Sequence, residues 1–289
     1  MNKKEPIVYY QGTKGAYSEI AAKIFFGSAV ETQGLMRFED IFLRLPENPK
    51  NYGILPIENS LMGSIHKNYD LLLNNNVWII GEVELRISYD LFMLEKKSSI
   101  KEIWAHPSVL EQCREFIVQN QNYHFVPCFD SAGAADIVKR ENRTDIGIIA
   151  GPQVGDIYGL QCIKTDIEDN PNNFTRFLIL AMKEKIYEGN NAKTSIVFGL
   201  KNEPGVLFRC LSIFALRNID LLKLESRPII GKPWEYIFYI DLRGSFKDIS
   251  CKNAIETLRE VSIFFKFLGS YPVIKEYDYG FNCEKLQKD

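Results

Sequence analysis

Along residues 7–165, short strand-like apolar runs alternate with segments whose apolar residues recur at helical spacing. Runs rich in β-branched and aromatic residues predict strands at 7–10, 52–55, 78–85, 87–94, 103–105 and 146–149. Apolar residues at helical spacing predict helices at 17–26, 38–45, 65–73, 108–118 and 131–140. Strands that alternate with helices are typical of parallel or mixed sheets covered by helices, so this half of the chain is expected to be α/β.

A late apolar run at 174–182 follows a polar loop, and this position predicts a strand that returns to an earlier sheet. Two α/β lobes joined by crossing segments would leave a cleft between strand ends. Open α/β sheets usually bind ligands at such places. We therefore expect the functional site in that cleft.

The polar segment 183–193 separates this pattern from a different one. Beyond it the pattern predicts a strand, a helix, two strands, a helix and a strand, at 194–200, 206–214, 219–224, 236–242, 251–261 and 264–268, with a turn at 231–233. This βαββαβ order is the split βαβ plan of ferredoxin-like folds. We therefore predict two domains, at 1–185 and 192–275.

The 289 residues carry 35 Lys plus Arg against 37 Asp plus Glu, so no overall basic field favours nucleic acid. The chain lacks a 20-residue apolar run and an apolar segment after Met1, which predicts a cytoplasmic protein without a membrane partner. Six scattered cysteines and three scattered histidines form no metal-binding motif, so reduced thiols and no metal are expected.

Residues 167–177 form the most unusual stretch, in which Asn, Asp and Pro precede the strand that contains Thr175 and Arg176. An arginine flanked by Phe174 and Phe177 is partly shielded from water, and its planar fork suits a carboxylate. The alternative interpretation is a surface arginine in a turn.

Three other turns place polar groups at strand ends. At 53–60, Asn59 and Ser60 either cap a helix or help to bind an anion. At 12–18 the glycines favour a tight turn over nucleotide binding, because the phosphate-loop spacings are absent. His106 either titrates near neutrality or caps a helix.

In the second domain, residues 202–207 are a strand-to-helix turn and residues 224–228 end a strand. Both segments are consistent with an ordinary strand edge and turn that have no binding role. A polar Glu-Ser-Arg sequence beside an exposed helix start is equally suited to a small zwitterion.

In this order and spacing, residues 53–65 (GILPIENSLMGSI), 105–113 (AHPSVLEQC), 167–180 (IEDNPNNFTRFLIL) and 225–228 (ESRP) resemble the successive motifs of prephenate dehydratase, across almost the whole chain. The resemblance implies two catalytic lobes like those of type 2 periplasmic binding proteins, followed by a C-terminal ACT domain. Without an N-terminal chorismate mutase segment, the chain resembles the monofunctional form. The implied reaction converts prephenate to phenylpyruvate with loss of water and carbon dioxide, in phenylalanine biosynthesis and without a cofactor.

The resemblance and the residue chemistry together assign the site. Thr175 is implied to be the central catalytic residue, Arg176 to clamp a substrate carboxylate, Glu58 to donate a proton or orient neighbours, and Phe177 to shield the site. The predicted substrate-binding residues are Asn59, Ser60, Gly15, Ala16, Tyr17, Ser18, His106, Gln112, Asn173 and Phe174.

The resemblance also implies feedback inhibition by L-phenylalanine, bound at a subunit interface of a homotetramer built as a dimer of dimers. The implied effector residues are Asn202, Gly205, Val206, Leu207, Leu224, Glu225, Ser226, Arg227 and Pro228. Two alternatives stay open. Thr13 and Ala16 stand where many members have Pro and Thr, and this version also resembles arogenate dehydratases. A non-catalytic amino-acid sensor would use the same architecture.

Overall fold

A computed structural model describes residues 5–95, 99–229 and 235–276. The strands in these ranges are β1 (Ile7–Gln11), β2 (Glu31–Leu35), β3 (Tyr52–Asn59), β4 (Gly63–Ser64), β5 (Trp78–Arg86), β6 (Asp90–Met93), β7 (Glu102–Ala105), β8 (His124–Pro127), β9 (Ile146–Ala150), β10 (Gln161–Lys164), β11 (Phe174–Ala181), β12 (Ala192–Gly199), β13 (Leu221–Pro228), β14 (Tyr236–Arg243) and β15 (Phe264–Glu276). The helices are α1 (Tyr17–Phe26), α2 (Phe38–Arg44), α3 (His66–Asn74), α4 (Pro107–Gln112), α5 (Arg114–Gln119), α6 (Ser131–Arg140), α7 (Gln153–Tyr158), α8 (Val206–Ala215) and α9 (Ile249–Val261).

The first lobe is built on strands in the order β5-β11-β3-β1-β2, with β4 paired to β3. β11 lies antiparallel between β3 and β5. The predicted return of the late strand to an earlier sheet is therefore confirmed. β11 is buried on both sides because α1 packs on one face of the sheet and the C-terminal domain on the other.

The second lobe is a separate five-stranded sheet in the order β10-β6-β9-β7-β8, which carries α4 to α7. Two segments cross between the lobes, one at 87–89 and one at 165–173. They lie side by side, since the Ile87 amide donates to the Asn173 carbonyl (2.7 Å) and the Ile167 amide to the Tyr89 carbonyl (2.9 Å). The predicted two-lobed α/β architecture is confirmed.

The C-terminal domain has the predicted βαββαβ order, with α8 and α9 packed on one face of its sheet. Its strands follow the order β13-β14-β12-β15. The other face packs against the first lobe through Val197, Tyr239 and Leu268.

β15 is longer than predicted. It pairs with β12 through Phe264–Pro272 and then in parallel with β5 through Val273–Glu276. One ten-stranded sheet therefore runs through both domains of the described chain. The sequence pattern predicts a last strand only at 264–268, so it does not show the extension of β15 that joins the two domains.

Several predicted elements differ in detail. The helix predicted at 108–118 is two helices, α4 and α5, which meet at Cys113. The predicted turn at 231–233 and Cys283 lie outside the described residues. The five described cysteines are free thiols. No helix of the described chain is long and apolar enough to span a membrane.

Candidate functional site

A cavity of about 200 Å³ lies between the two lobes. Its walls come from the end of β1, the starts of α1, α4, α6 and α7 with the turns before them, and the crossing segment at 87–89. The lining residues are Gln11, Gly12, Gly15, Ala16, Tyr17, Ser18, Tyr89, His106, Ser108, Val109, Phe129, Asp130, Ser131, Ala132, Ala150, Gly151, Gln153 and Val154. The structure thus brings five predicted binding residues, Gly15 to Ser18 and His106, to one cavity.

Apart from the Asp130 carboxylate, the electrostatic character of the cavity comes from the backbone. None of its described lining residues is a lysine or an arginine. Instead the N-terminal ends of α1 and α6 face it, and α1 begins without a side-chain cap hydrogen bond. Helix N-termini present N–H groups and partial positive charge, so this cavity is suited to anionic groups such as carboxylates.

The loop at 12–15 is held by the opposite lobe. Asp130 accepts hydrogen bonds from the Thr13 amide (2.9 Å) and hydroxyl (2.7 Å). The Gln153 amide donates to the Gly15 carbonyl (2.6 Å), and the Tyr158 hydroxyl to the Lys14 carbonyl (2.7 Å). These contacts hold the lobes together beside the cavity.

Thr175 lies in a chain of buried side-chain amides. The Asn59 Nδ2 group donates to Thr175 Oγ1 (3.0 Å) and to Asn173 Oδ1 (2.7 Å), while Asn173 donates to Gln112. The other end of the Asn59 amide is fixed, since its oxygen accepts the N–H groups of Leu61 and Met62. Thr175 therefore accepts a hydrogen bond from Asn59, which leaves its hydroxyl proton for another acceptor.

This chain leads towards the cavity. Gln112 is the last residue of α4, whose first turn lines the cavity, and its side chain also donates to the carbonyl of the cavity residue Ser108 (2.8 Å). Thr175 is 8% exposed and is not among the cavity-lining residues. Four predicted residues, Asn59, Gln112, Asn173 and Thr175, thus form one unit next to the cavity.

Arg176 does not face this unit. Its guanidinium donates to Glu58 (2.6 Å), to Glu82 (2.8 and 3.1 Å) and to Asp241 of the C-terminal domain. Lys193 also binds Glu82 (2.6 Å). The side chain of Glu82 is fully buried, so this ion cluster is shielded from water.

Strand geometry explains the placement. Successive side chains in a strand point to opposite faces, so Thr175 and Arg176 separate. Glu58 shares the Arg176 face because the two residues lie directly opposite each other in the β3–β11 pair, and the register shifts only beyond them, where Ile57 is an extra residue in β3. In this structure Arg176 therefore binds protein carboxylates on the face away from the cavity, and the substrate-clamp role stays a prediction.

Glu58 was predicted either to donate a proton or to orient neighbouring groups, and its contacts in this structure favour the second role. Burial opposes ionisation of Glu58, but hydrogen bonds from Lys223 and Arg176 outweigh it and lower its pKa below the usual 4.5. Glu58 is thus an ionised partner in the ion cluster, on the face of the sheet that the C-terminal domain covers.

The remaining predicted residues around β11 are structural in this conformation. Ser60 joins β3 to the turn before β11, since its hydroxyl donates to the Asn172 carbonyl and accepts the Phe174 amide proton, both at 2.9 Å. Phe177 is 3% exposed and packs in the core beneath α1. Phe177 is therefore a core residue of the first lobe and does not line the cavity.

The predicted effector residues are divided by the alternation of β13. Glu225 binds Ser64 (2.7 Å) and His66 (3.2 Å), and Arg227 binds Asp70 (3.0 and 3.3 Å), so both face the catalytic lobe. The alternate side chains, Leu224, Ser226 and Pro228, are exposed.

The second predicted effector stretch begins α8. Gly205 precedes this helix with φ of 74°, in the left-handed region that favours glycine. Asn202 and Gly205 are exposed, and Val206 and Leu207 are half-buried at the helix start.

Asp130, Gln153 and Tyr89 were missed by the sequence analysis. Asp130 had a local signal, because an aspartate directly before Ser131 and an apolar helix is a typical N-cap, and Asp130 does accept the Ala132 amide proton (3.1 Å). Gln153 and Tyr89 had no such local signal in the sequence. Among the described residues, no group of three or more His, Cys, Asp and Glu side chains is placed to hold a metal ion.

Comparisons with known proteins agree across both domains. A family model described as prephenate dehydratase matches residues 8–185, and one described as ACT domain matches residues 194–259. The Arabidopsis thaliana protein named arogenate dehydratase/prephenate dehydratase 2 is 40% identical over 279 residues, which cover 92% of this chain and 72% of the relative.

Solved structures show the same architecture. Prephenate dehydratase from Arthrobacter aurescens in complex with L-Phe is 26% identical with a TM-score of 0.83, over 92% of this chain and 90% of the other. A protein described as a novel type of quorum-quenching acylase is also 26% identical, with a TM-score of 0.80 over 92% of this chain and 98% of the other.

Proposed function

This chain belongs to the prephenate dehydratase family of lyases and carries a C-terminal ACT domain, and on that basis we propose that it catalyses the decarboxylating dehydration of prephenate to phenylpyruvate or of arogenate to L-phenylalanine. In either reaction the ring carboxylate leaves as carbon dioxide, and the ring hydroxyl leaves as water with one proton taken up from solvent. The electron pair of the broken carbon–carbon bond completes the aromatic ring. The family model supports prephenate, and the Arabidopsis relative supports arogenate as the second candidate.

The observation that carries this proposal is the anion-binding cavity beside an oriented hydroxyl. Both substrates bear two carboxylates, and the start of α1, which has no side-chain cap, offers backbone N–H groups to such anions. None of the described lining residues is a lysine or an arginine, so the cavity binds the substrate carboxylates through backbone dipoles. No cationic side chain of the described lining would then neutralise the ring carboxylate, which must leave as carbon dioxide.

We assign to Thr175 the hydrogen bond to the departing oxygen. Its hydroxyl is too weak an acid to protonate that oxygen freely at pH 7. However, a hydrogen bond that strengthens as charge develops lowers the transition state more than the ground state. Asn59 orients this hydroxyl by donating to Thr175 Oγ1, so the threonine proton is directed away from Asn59.

The regulatory part of the proposal concerns the ACT domain. L-Phenylalanine binding there is supported by the Arthrobacter aurescens relative, whose structure was solved in complex with L-Phe. Exposed apolar side chains on α8 and β13 support self-association of this domain. They are Phe208 (76% exposed), Leu216 (82%), Leu222 (40%) and Leu224 (42%). We propose a homotetramer in which the effector binds between ACT domains.

The proposal is tested by incubating the purified chain with prephenate and with arogenate, each with and without L-phenylalanine. We expect phenylpyruvate from prephenate or phenylalanine from arogenate, and suppression of turnover by added phenylalanine. No turnover of either substrate by folded protein would favour an amino-acid sensor. Amide hydrolysis in place of dehydration would move the assignment towards the acylase named among the neighbours.

A further inference from the structure

The proposed active-site cavity contains a carboxylate that a dianionic substrate does not require. Asp130 lines the cavity, and no lysine or arginine among the described lining residues offsets its charge. His106 does not offset it either. Its Nδ1 atom accepts the Ser108 amide proton (3.2 Å), and burial lowers the pKa of His106 below 6.5 although Asp130 opposes this shift. The imidazole is therefore neutral at pH 7.

The hydrogen bonds of Asp130 leave room for another donor. Oδ2 accepts both the amide and the hydroxyl of Thr13, and Oδ1 accepts the Ala132 amide. A carboxylate has about four acceptor positions, so one position on Oδ1 stays open. Within the described residues, Asp130 has no cation within 4.0 Å, whereas the nearby Glu19 is paired to Lys23 at 2.7 Å.

The two candidate substrates differ in the group that Asp130 would meet. The side arm of prephenate ends in a keto acid, whose carboxylate would face a like charge. The side arm of arogenate is an α-amino acid, which places an ammonium group beside its carboxylate. The ammonium group can donate to Oδ1 while the neighbouring carboxylate accepts N–H groups at the start of α1.

We infer that Asp130 is a specificity-determining residue that binds the α-ammonium group of arogenate, so that this site prefers the amino-acid side arm over the keto acid. The inference rests on the proposed function, because it concerns the same cavity. It adds the substrate choice, which the family membership leaves open.

Asp130 also has structural contacts, since it caps α6 and holds the Thr13 loop. A purely structural role of Asp130 and the proposed specificity role predict different kinetic effects. Loss of a cap or of the lobe contact would affect both substrates alike, whereas loss of a negative charge acts in opposite directions on an ammonium group and a carboxylate. The ratio of the two specificity constants therefore separates the two roles.

The experiment measures kcat/KM for arogenate and for prephenate with the full chain and three variants. Asp130→Asn replaces the charged carboxylate by a neutral amide of about the same size. Asp130→Ser removes the charge and keeps a residue that caps helices well. Thr13→Val removes the hydroxyl contact and keeps the Asp130 charge. Circular dichroism establishes that each variant is folded.

We expect the unsubstituted chain to prefer arogenate. Both Asp130 variants should lower the arogenate-to-prephenate ratio of kcat/KM by about 10-fold or more, as expected for a charge-assisted hydrogen bond. Thr13→Val should leave that ratio within about twofold, because the charge remains. An equal loss for both substrates, or a preference of the unsubstituted chain for prephenate, would overturn the inference and leave the proposed function intact. No turnover of either substrate by the folded chain would overturn both.

Discussion

Thr175 and Arg176 are adjacent in the sequence, yet their side chains leave β11 on opposite faces of the sheet. Thr175 lies with Asn59 next to the interlobe cavity, while Arg176 binds Glu58, Glu82 and the Asp241 carboxylate of the ACT domain. One short motif therefore provides a side chain for the proposed chemistry and another for the contact between the domains.

The first prediction concerns Thr175. Thr175→Ala should lower kcat by about 100- to 1,000-fold with little change in KM, because the lost hydrogen bond acts mainly in the transition state. Thr175→Ser, which keeps a hydroxyl, should recover part of the activity. Steady-state kinetics with both substrates measure this. Near-normal kcat in folded Thr175→Ala would remove the catalytic assignment.

The second prediction concerns the orientation of that hydroxyl. Asn59→Asp replaces the group that donates to Thr175 by an acceptor, so the threonine proton would turn towards the new carboxylate. We expect kcat to fall by about 10- to 100-fold. Asn76→Asp, which adds the same charge at an exposed position, serves as the matched control. Equal kinetics for the two variants would contradict the orienting role of Asn59.

The third prediction concerns Arg176. Arg176→Leu would leave the buried Glu82 paired only to Lys193 and would remove the main partner of Asp241. Breaking a buried ion pair on one side typically costs about 3–5 kcal/mol, so the free energy of unfolding should fall by that order. Urea denaturation measures it.

Arg217→Leu provides the control for Arg176, because the Arg217 side chain donates to the Ile213 carbonyl of α8 and forms no ion pair within the described residues. Its effect should stay below about 1 kcal/mol. Weakened substrate binding in a variant of unchanged stability would instead support the clamp role that the sequence suggested.

The fourth prediction is a loss of stability in acid. Burial opposes ionisation of Asp241, yet Arg176 and Lys193 outweigh it and hold its pKa below 3.8, and the pKa of Glu58 lies below 4.5. A carboxyl whose pKa is lowered by folding stabilises the protein above its unfolded-state pKa, and this contribution is lost as the pH falls through the folded-state value.

The contribution of these carboxylates should therefore be complete at pH 6 and decline below about pH 4.5. Urea midpoints of the unsubstituted chain and of Asp241→Asn should differ at pH 6 and converge in acid. A constant difference between the two midpoints across this range would contradict the assignment.

The fifth prediction tests the proposed regulation. Leu224→Asp places a charge on the exposed side of β13, where the effector and the second ACT domain are proposed to bind. Inhibition by phenylalanine should then require at least about 10-fold more effector, because an apolar contact is replaced by a charge that must be desolvated. Leu43→Asp, at an exposed position of α2, is the control. Equal phenylalanine sensitivity of the two variants would place the effector elsewhere.

The structure brings the predicted residues of the Thr175 unit together because they sit at the ends of elements with clear sequence patterns. Asn59 ends β3 and Thr175 begins the antiparallel neighbour β11, so pairing of these strands brings them together. The role of Arg176 was not predictable from its neighbours. Its partner Asp241 lies 65 residues away, in a domain that packs on the opposite face of the sheet.

Asp130 illustrates a different difficulty. Its capping role is local and could be read from the residues that follow it, whereas its contact with Thr13 joins residues 117 positions apart. Such a contact depends on how two lobes close, which periodicity along the chain does not encode. Residues that bridge lobes are therefore the part of this site for which sequence reasoning had the least information.

β15 makes the two domains inseparable at the level of the backbone. Its last four residues, Val273–Glu276, are the outer neighbour of β5 in the catalytic sheet. A catalytic fragment cut at the polar segment 183–193 would lose that neighbour and expose the hydrogen-bonding edge of β5, which invites aggregation. The boundary predicted from the sequence is thus a poor place to truncate the chain. The last strand of the ACT domain also covers the exposed edge of the catalytic sheet.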